Sequence, residues 1–189
     1  MFCRPFKNAI KGMVIQKFGV NPQPYQPNGH TGLDFASIAP LYGTFLVAPE
    51  DVIIKSIVGI KTVGDDTVES FKRGFGLLMR GERYIHCYWH CLPVFPVSVG
   101  QVVKQGQPVA QIGNSGFTYS GGGLTDPNTA IKSKAGTHLH WEVFTEENGA
   151  RKFIDPLPLI DWNIKISYDV LKVVQELINK LKNIILGNK

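Results

Sequence analysis

The chain has 189 residues, of which 43% are hydrophobic and 19% charged, a composition typical of one globular domain with a well-buried core. Its net charge of +5 is uneven: residues 163–189 carry +3 and the rest only +2, so no basic stripe indicates nucleic-acid binding. No apolar run approaches the roughly 20 residues that span a membrane. The first residues lack the apolar core of a secretory signal, so we expect no Sec-dependent export.

Short strands are predicted for most of the chain, because 20 glycines and 12 prolines punctuate it at short intervals. The stretch "GFGLLMRGERYIHCYWHC" indicates a hairpin turning near residues 80–83, and "VSVGQVVKQGQPVAQIGNSG" indicates two more strands. Further strands are predicted near residues 33–36, 44–48 and 51–60. Residues 117–136 show no periodicity and are predicted to form a long loop, a feature that is often functional. The body is therefore expected to be an all-β antiparallel barrel or sandwich.

The three cysteines, Cys3, Cys87 and Cys91, cannot all pair within one chain. Cys87 and Cys91 lie four residues apart on a predicted strand, a separation of roughly 13 Å that is too long for a disulfide. We therefore expect reduced and mostly buried thiols.

The last 27 residues, 163–189, change period. Apolar residues recur there at alternating spacings of four and three, which predicts an amphipathic helix of about five turns, close to a heptad repeat. Three roles fit this pattern: packing back onto the β domain, self-association, and binding to a membrane surface. The chain is accordingly divided into a domain of residues 1–162 and a C-terminal docking or oligomerisation helix of residues 163–189.

The stretch "AGTHLHWEVF" at residues 135–144 is predicted to be a strand, because its apolar residues alternate. Successive side chains then point to opposite faces, so Leu139, Trp141 and Val143 share an apolar face. His138, His140 and Glu142 share the opposite face. Two imidazoles on one face fit either half of a metal site or a solvated sheet surface.

A second pair of metal-binding residue types lies in "NGHTGLDFA", where His30 and Asp34 are four residues apart. Gly29 and Gly32 argue against a helix here. A glycine-bent loop that runs into a strand can nevertheless bring an imidazole and a carboxylate to one ion.

Several of these motifs occur in a characteristic order: "GHTGLDFA", "YWHC", "GQVVKQGQPVAQIGNSG" and "THLHWEVF". Together they resemble the lysostaphin-type zinc metalloendopeptidases, which cut peptide bonds in bacterial peptidoglycan. The resemblance covers residues 13 to about 159. The segment between "GNSG" and "GTHLH" is longer than the short glycine-rich link of that family.

Matched position by position, the resemblance implies that His30, Asp34 and His140 are zinc ligands and that His138 is catalytic. Two neutral imidazoles and one carboxylate leave zinc an open fourth position, as in catalytic rather than structural zinc sites. With no His-Glu-x-x-His motif to supply a glutamate base, His138 and a second histidine are expected to share proton transfer.

That second catalytic histidine has two candidates, because "YIH" and "YWH" both fit the Tyr-x-His pattern of the family. The spacing to "VSVG" favours His90, and His86 is expected in a non-catalytic position on the same strand face. Glu142 also has two interpretations, an outer partner that orients a zinc ligand and a plain surface glutamate, of which we favour the second.

The resemblance implies a zinc-dependent peptidoglycan endopeptidase. A non-catalytic wall-binding or virion structural component of the same fold is the alternative, disfavoured because every ligand and both catalytic positions are filled. The missing secretory signal suggests a bacteriophage lysin, either carried on a virion or released at lysis, with export of a bacterial enzyme by another route as the alternative. Residues 163–189 would then contact phage tail proteins or a second copy of the chain.

Overall fold

The computed structural model describes residues 1–22, 26–37, 41–59, 73–120, 123–125 and 133–186. These form a mostly antiparallel β structure followed by one C-terminal helix, as predicted. The strands are β1 Phe2–Cys3, β2 Val14–Gln16, β3 Gly32–Phe35, β4 Phe45–Val47, β5 Val52–Val58, β6 Phe75–Arg80, β7 Ile85–Cys91, β8 Val102–Val103, β9 Pro108–Gln111, β10 Thr118–Ser120, β11 Gly123–Thr125, β12 Leu139–Glu147, β13 Ala150–Ile154 and β14 Ile160–Asp161, and the helix is α1 Val170–Leu186.

The central sheet has the strand order β2-β3-β12-β7-β6-β5-β8, with β13 paired to the C-terminal half of β12. Strand β12 lies between β3 and β7 and carries the predicted alternation. Leu139, Trp141 and Val143 are completely buried on one face of the sheet. The main apolar core lies on that face, because these side chains cluster with Leu46 of β4 and Val109 of the paired β9.

The predicted hairpin is confirmed, since β6 and β7 pair antiparallel across the turn after Arg80. The prediction of a featureless loop over residues 117–136 is wrong in part, because β10 and β11 form an antiparallel hairpin within it. Turn-forming serine and glycine between β-branched and aromatic residues in "TYSGGGLT" were the overlooked signal. Residues 121–122 and 126–132 of this segment lie outside the described residues.

The expectation of reduced, buried thiols is confirmed. Cys3, Cys87 and Cys91 are all free and buried. Burial raises the pKa of the Cys3 thiol to about 11, and it raises the pKa of Cys87 and Cys91 further. The three thiols are therefore protonated near neutral pH and behave as small apolar core residues.

Helix α1 begins later than the change of sequence period. Asp169 caps it by accepting hydrogen bonds from the backbone N–H groups of Leu171 and Lys172. The preceding segment packs on the β domain, where Ile166 joins a buried cluster with Cys3 and Val47.

The described side chains of α1 that contact the β domain lie along one edge of the helix. Val173 is buried, and Lys180 Nζ donates to Ser98 Oγ at 3.1 Å. Among the described side chains of the helix, the exposed large apolar ones are Val170, Leu171, Val174, Ile178 and Leu181. No helix in the described ranges is long and apolar enough to cross a membrane. The division of the chain at residue 163 stays a prediction.

Candidate metal centre and active site

Pairing between β3 and β12 brings Asp34 and His140 together. Asp34 lies directly opposite His140 in this antiparallel pair, so their side chains project from the same face of the sheet. The close approach of the strands depends on Gly32, because a Cβ there would lie 2.3 Å from the carbonyl oxygen of Trp141. Gly32, which lies between His30 and Asp34, is therefore needed for the pairing of β3 with β12.

His30 reaches the same place from the loop before β3. Its backbone N–H donates to Val20 O at 2.8 Å, and its carbonyl accepts from Gly19 N at 2.8 Å. Gly29 adopts a positive φ of 76°, and a Cβ there would lie 2.4 Å from Gly19 O. The glycine-bent loop predicted from the sequence is thus present, and it holds His30 in one orientation.

Three potential ligand atoms converge at this point. His140 Nδ1 lies 2.7 Å from Asp34 Oδ1. His30 Nε2 lies 3.1 Å from Asp34 Oδ1 and 2.9 Å from His140 Nδ1. Ligand atoms of a tetrahedral zinc site stand about 3.3 Å apart when metal–ligand distances are about 2.0–2.1 Å. Small outward movements would accommodate the ion, so the spacing suits a metal centre.

The outer nitrogen of each imidazole also has a partner. His30 Nδ1 donates to Lys17 O at 3.2 Å, which leaves Nε2 as the ligand atom. His140 Nε2 lies 3.3 Å from Glu142 Oε1, which leaves Nδ1 facing the cluster. A carboxylate or carbonyl on the outer nitrogen is the usual device that orients a metal-binding histidine. The donor set therefore fits zinc.

The charges of the cluster also favour a bound cation. Burial raises the pKa of Asp34, but the hydrogen bond from His140 and the contact with His30 outweigh this effect and hold the pKa well below its usual range. Burial lowers the pKa of His140, but the two carboxylates outweigh it and raise this pKa to about 9. Without a metal, His140 is thus an imidazolium between two carboxylates. A divalent cation would take the place of the proton on Nδ1.

His138 and His90 stand beside this cluster as a second pair. Their ring centroids are 4.5 Å apart, and the His90 ring lies 6.3 Å from that of His140. Nδ1 of His138 donates to Gly136 O at 2.8 Å, and Nδ1 of His90 donates to Ser115 O at 2.7 Å. In both rings Nε2 is therefore free of a proton in the neutral form.

Both of these histidines are neutral near pH 7. Burial lowers the pKa of His90 to about 3, helped by the neighbouring His138. Burial also lowers the pKa of His138, against the opposing effect of Asp34. Two neutral imidazoles next to a candidate metal centre can each accept a proton at Nε2.

His86 and His90 lie on different faces of the sheet, so the expectation that they share a strand face is wrong. His90 has a positive φ of 59°, and the β6–β7 register shifts beside it. This irregularity turns His90 toward the metal-binding face, as bulges next to active sites do. His86 stays on the core face, where it contacts Glu50 Oε1 at 2.7 Å.

The interpretation of Glu142 as a surface residue is also wrong, because its side chain is only 1% exposed. Alternation correctly placed it on the metal-binding face, but that face is covered here. Its partners include Thr31, Trp89 and Arg73. Sequence reasoning assigned no role to these three residues. Thr31 and Trp89 could have been predicted near the site, because they are adjacent in sequence to His30 and His90. Nothing in the sequence near Arg73 indicates its contact with Glu142.

Comparison with known proteins identifies a family and a fold. The model of peptidase family M23 matches residues 28–156, a range that contains His30, Asp34, His90, His138 and His140. The structure is similar to that of LytU, with 24% identity and a TM-score of 0.55, covering 78% of this chain and 83% of that one. It is also similar to the catalytic domain of lysostaphin, an antimicrobial peptidase from Staphylococcus simulans, with 22% identity, a TM-score of 0.52, and coverage of 76% and 88%.

A zinc-containing peptidase from Vibrio cholerae matches with 22% identity and a TM-score of 0.54, covering 80% of this chain and 38% of that one. Among curated protein sequences, none matches the chain. The similarity to solved structures establishes the fold, and the family model spans more than half of the sequence. The chain therefore belongs to peptidase family M23 and has the lysostaphin-like fold.

Proposed function

We propose that this protein is a zinc-dependent endopeptidase that hydrolyses peptide bonds in bacterial peptidoglycan. The observation that carries the proposal is the convergence of His30, Asp34 and His140, with two further neutral histidines next to them. A structural zinc site is closed by four protein ligands, whereas three ligands leave a position open for reaction. Membership of family M23 supports peptidoglycan as the substrate class.

His30 Nε2, Asp34 Oδ1 and His140 Nδ1 would hold the metal. When bound, zinc lowers the pKa of a coordinated water molecule and polarises the carbonyl group that is attacked. The residues of the chain must then move protons and stabilise the oxyanion. His90 and His138 can accept a proton at Nε2 and return it to the leaving nitrogen, because hydrogen bonds fix each ring with Nδ1–H directed away.

Glu142 is the nearby carboxylate to consider as an alternative base. One of its oxygens contacts Thr31 and His140, and the other accepts hydrogen bonds from Trp89 and Arg73. Both oxygens are thus occupied, and the residue is buried. The histidine pair is therefore the proposed proton carrier.

The proposal is tested by digesting purified peptidoglycans of different cross-bridge types and identifying the fragments by mass spectrometry. We expect new amino and carboxyl termini at one class of peptide bond, loss of this activity with a zinc chelator, and recovery when zinc is restored. Intact peptidoglycan of every type after incubation with zinc-loaded protein would contradict the proposal. Delivery by a bacteriophage virion stays a separate prediction.

A further inference from the structure

Glu142 makes four polar contacts from a fully buried position. Oε1 accepts a hydrogen bond from Thr31 Oγ1 and lies 3.3 Å from His140 Nε2. Oε2 accepts from Trp89 Nε1 at 2.8 Å and lies 2.6 Å from a guanidinium nitrogen of Arg73. The Arg73 guanidinium also lies over the Trp89 ring, 5.3 Å from its centroid.

Three of these four partners lie in the segments that carry site residues, whereas Arg73 lies just before β6. Thr31 follows His30 in the loop before β3, and Trp89 precedes His90 on β7. Glu142 itself lies two residues after His140 on β12, on the same face of the strand. One carboxylate thus connects the loop and the two strands whose relative placement determines the geometry of the site.

We propose that Glu142 is a positioning residue that holds His140 with Nδ1 directed at the metal and keeps the three segments in register. The proposal rests on the zinc site of the proposed function. The carboxylate accepts at His140 Nε2, so the proton of the neutral ring stays on Nε2 and the lone pair on Nδ1. Arg73 supplies the opposite charge that a buried carboxylate requires.

Fold stability alone does not explain this arrangement. A buried ion pair contributes little net stability compared with apolar residues of similar volume. The specific property of the carboxylate is that it accepts from four directions at once. In Glu142→Gln the amide nitrogen is a donor, so it must face either the Trp89 and Arg73 donors or the His140 Nε2–H. The second arrangement favours the tautomer with the proton on Nδ1, which cannot bind metal.

The experiment measures zinc affinity by competition with a chromophoric chelator, using full-length Glu142→Gln. We expect zinc to bind about 10- to 100-fold more weakly than to the native protein. Glu146→Gln is the matched control, because Glu146 is also on β12 and pairs with an arginine, Arg80, at 3.1 Å but at an exposed position. Its zinc affinity should equal that of the native protein.

Circular dichroism and thermal melting of the metal-free proteins separate positioning from folding. If Glu142→Gln does not fold, Thr31→Val removes one hydrogen bond and preserves the side-chain shape, and Trp89→Phe removes another with a smaller aromatic ring. Each should weaken zinc binding several-fold. Zinc affinity equal to native in folded Glu142→Gln, or in both single-donor variants, would overturn the proposal. The readout is metal affinity, so its outcome is independent of whether the native protein cleaves peptidoglycan.

Discussion

Asp34 and Glu142 are both buried carboxylates on the metal-binding face, yet their surroundings assign them different roles. Asp34 contacts His30 and His140, and its negative charge has no arginine or lysine partner among its ion pairs in the described structure. Glu142 has Arg73 at 2.6 Å. A carboxylate whose charge is already neutralised suits an outer, orienting position. A carboxylate flanked only by imidazoles suits a cation.

The first prediction concerns the metal ligands. His30→Ala, Asp34→Ala and His140→Ala should each abolish stoichiometric zinc binding, because only two of the three converging atoms would remain. His138→Ala should keep about one zinc per chain, since this ring lies outside the cluster. Metal content measured by mass spectrometry after dialysis tests both statements. If His138→Ala loses zinc while His140→Ala retains it, the assignment within the pair is reversed.

A second prediction separates the two histidines of β7. His90→Ala should reduce peptidoglycan hydrolysis at least about 100-fold with zinc retained, because positioned acid–base groups contribute about 10²- to 10⁴-fold. His86→Ala should keep most of its activity per folded molecule but melt at a lower temperature, since it leaves Glu50 without its buried partner. Equal loss of activity in both variants would contradict the choice of His90.

At the scale of single residues, period-two alternation was enough to place His138, His140 and Glu142 on the face opposite the core. It could not predict that this face is covered at Glu142, because Arg73 is distant in sequence and the contact depends on tertiary structure. The ligand assignments of His30 and Asp34 came from the family resemblance rather than from spacing. The four-residue spacing of His30 and Asp34 indicates a metal site only when a second strand supplies the third ligand.

At the scale of elements, the site depends on how β3 and β7 flank β12. The β3–β12 pair places Asp34 opposite His140, and the β7–β12 pair places Trp89 opposite His140 on its other side. Regular alternation would direct His90 into the core along with Tyr88 and His86. The positive φ at His90 prevents this. No sequence pattern indicated the irregularity, because it arises from a register shift between two strands.

The prediction at this scale concerns the close approach of β3 to β12. Gly32→Ala should lower the free energy of unfolding by about 1–3 kcal/mol, because the new Cβ would meet backbone that has little freedom to move. It should also weaken zinc binding, since Asp34 and His140 are set by the same strand pair. Gly12→Ala is the control, as a Cβ there meets nothing within 4 Å. Chemical denaturation and chelator competition measure the two effects. Equal stability and zinc affinity for both variants would show that this pairing tolerates a side chain.

At the scale of the whole molecule, the division between strands and helix was predictable because the apolar period changes from two to about 3.6. The boundary between them was less predictable, because residues before Val170 still pack against the β domain. Ile166 is buried against Cys3 and Val47. Such a contact joins the two ends of the chain and leaves no local sequence pattern.

The last prediction compares two truncations of the C-terminal segment. Both should leave a folded, zinc-loaded domain that cleaves a small soluble peptide, because His30, Asp34, His90, His138 and His140 all lie in the β domain. Removing residues 170–189 takes away Val173 and exposes the β-domain surface that this side chain covers. Removing residues 163–189 also takes away Ile166 and the partly buried Ile164 and Tyr168. It should cost at least about 1.5–3 kcal/mol more of unfolding free energy, the value of one buried aliphatic side chain.

Light scattering of the same two proteins tests what the exposed apolar stripe of α1 does. The stripe formed by Val170, Val174, Ile178 and Leu181 has no cover within the described structure. A helix of this kind gains stability when its apolar face is buried, so the full-length protein should form a larger particle than either truncated form. Identical particle sizes would contradict self-association through α1. Loss of zinc from the protein lacking only residues 170–189 would instead show that the helix supports the structure of the β domain.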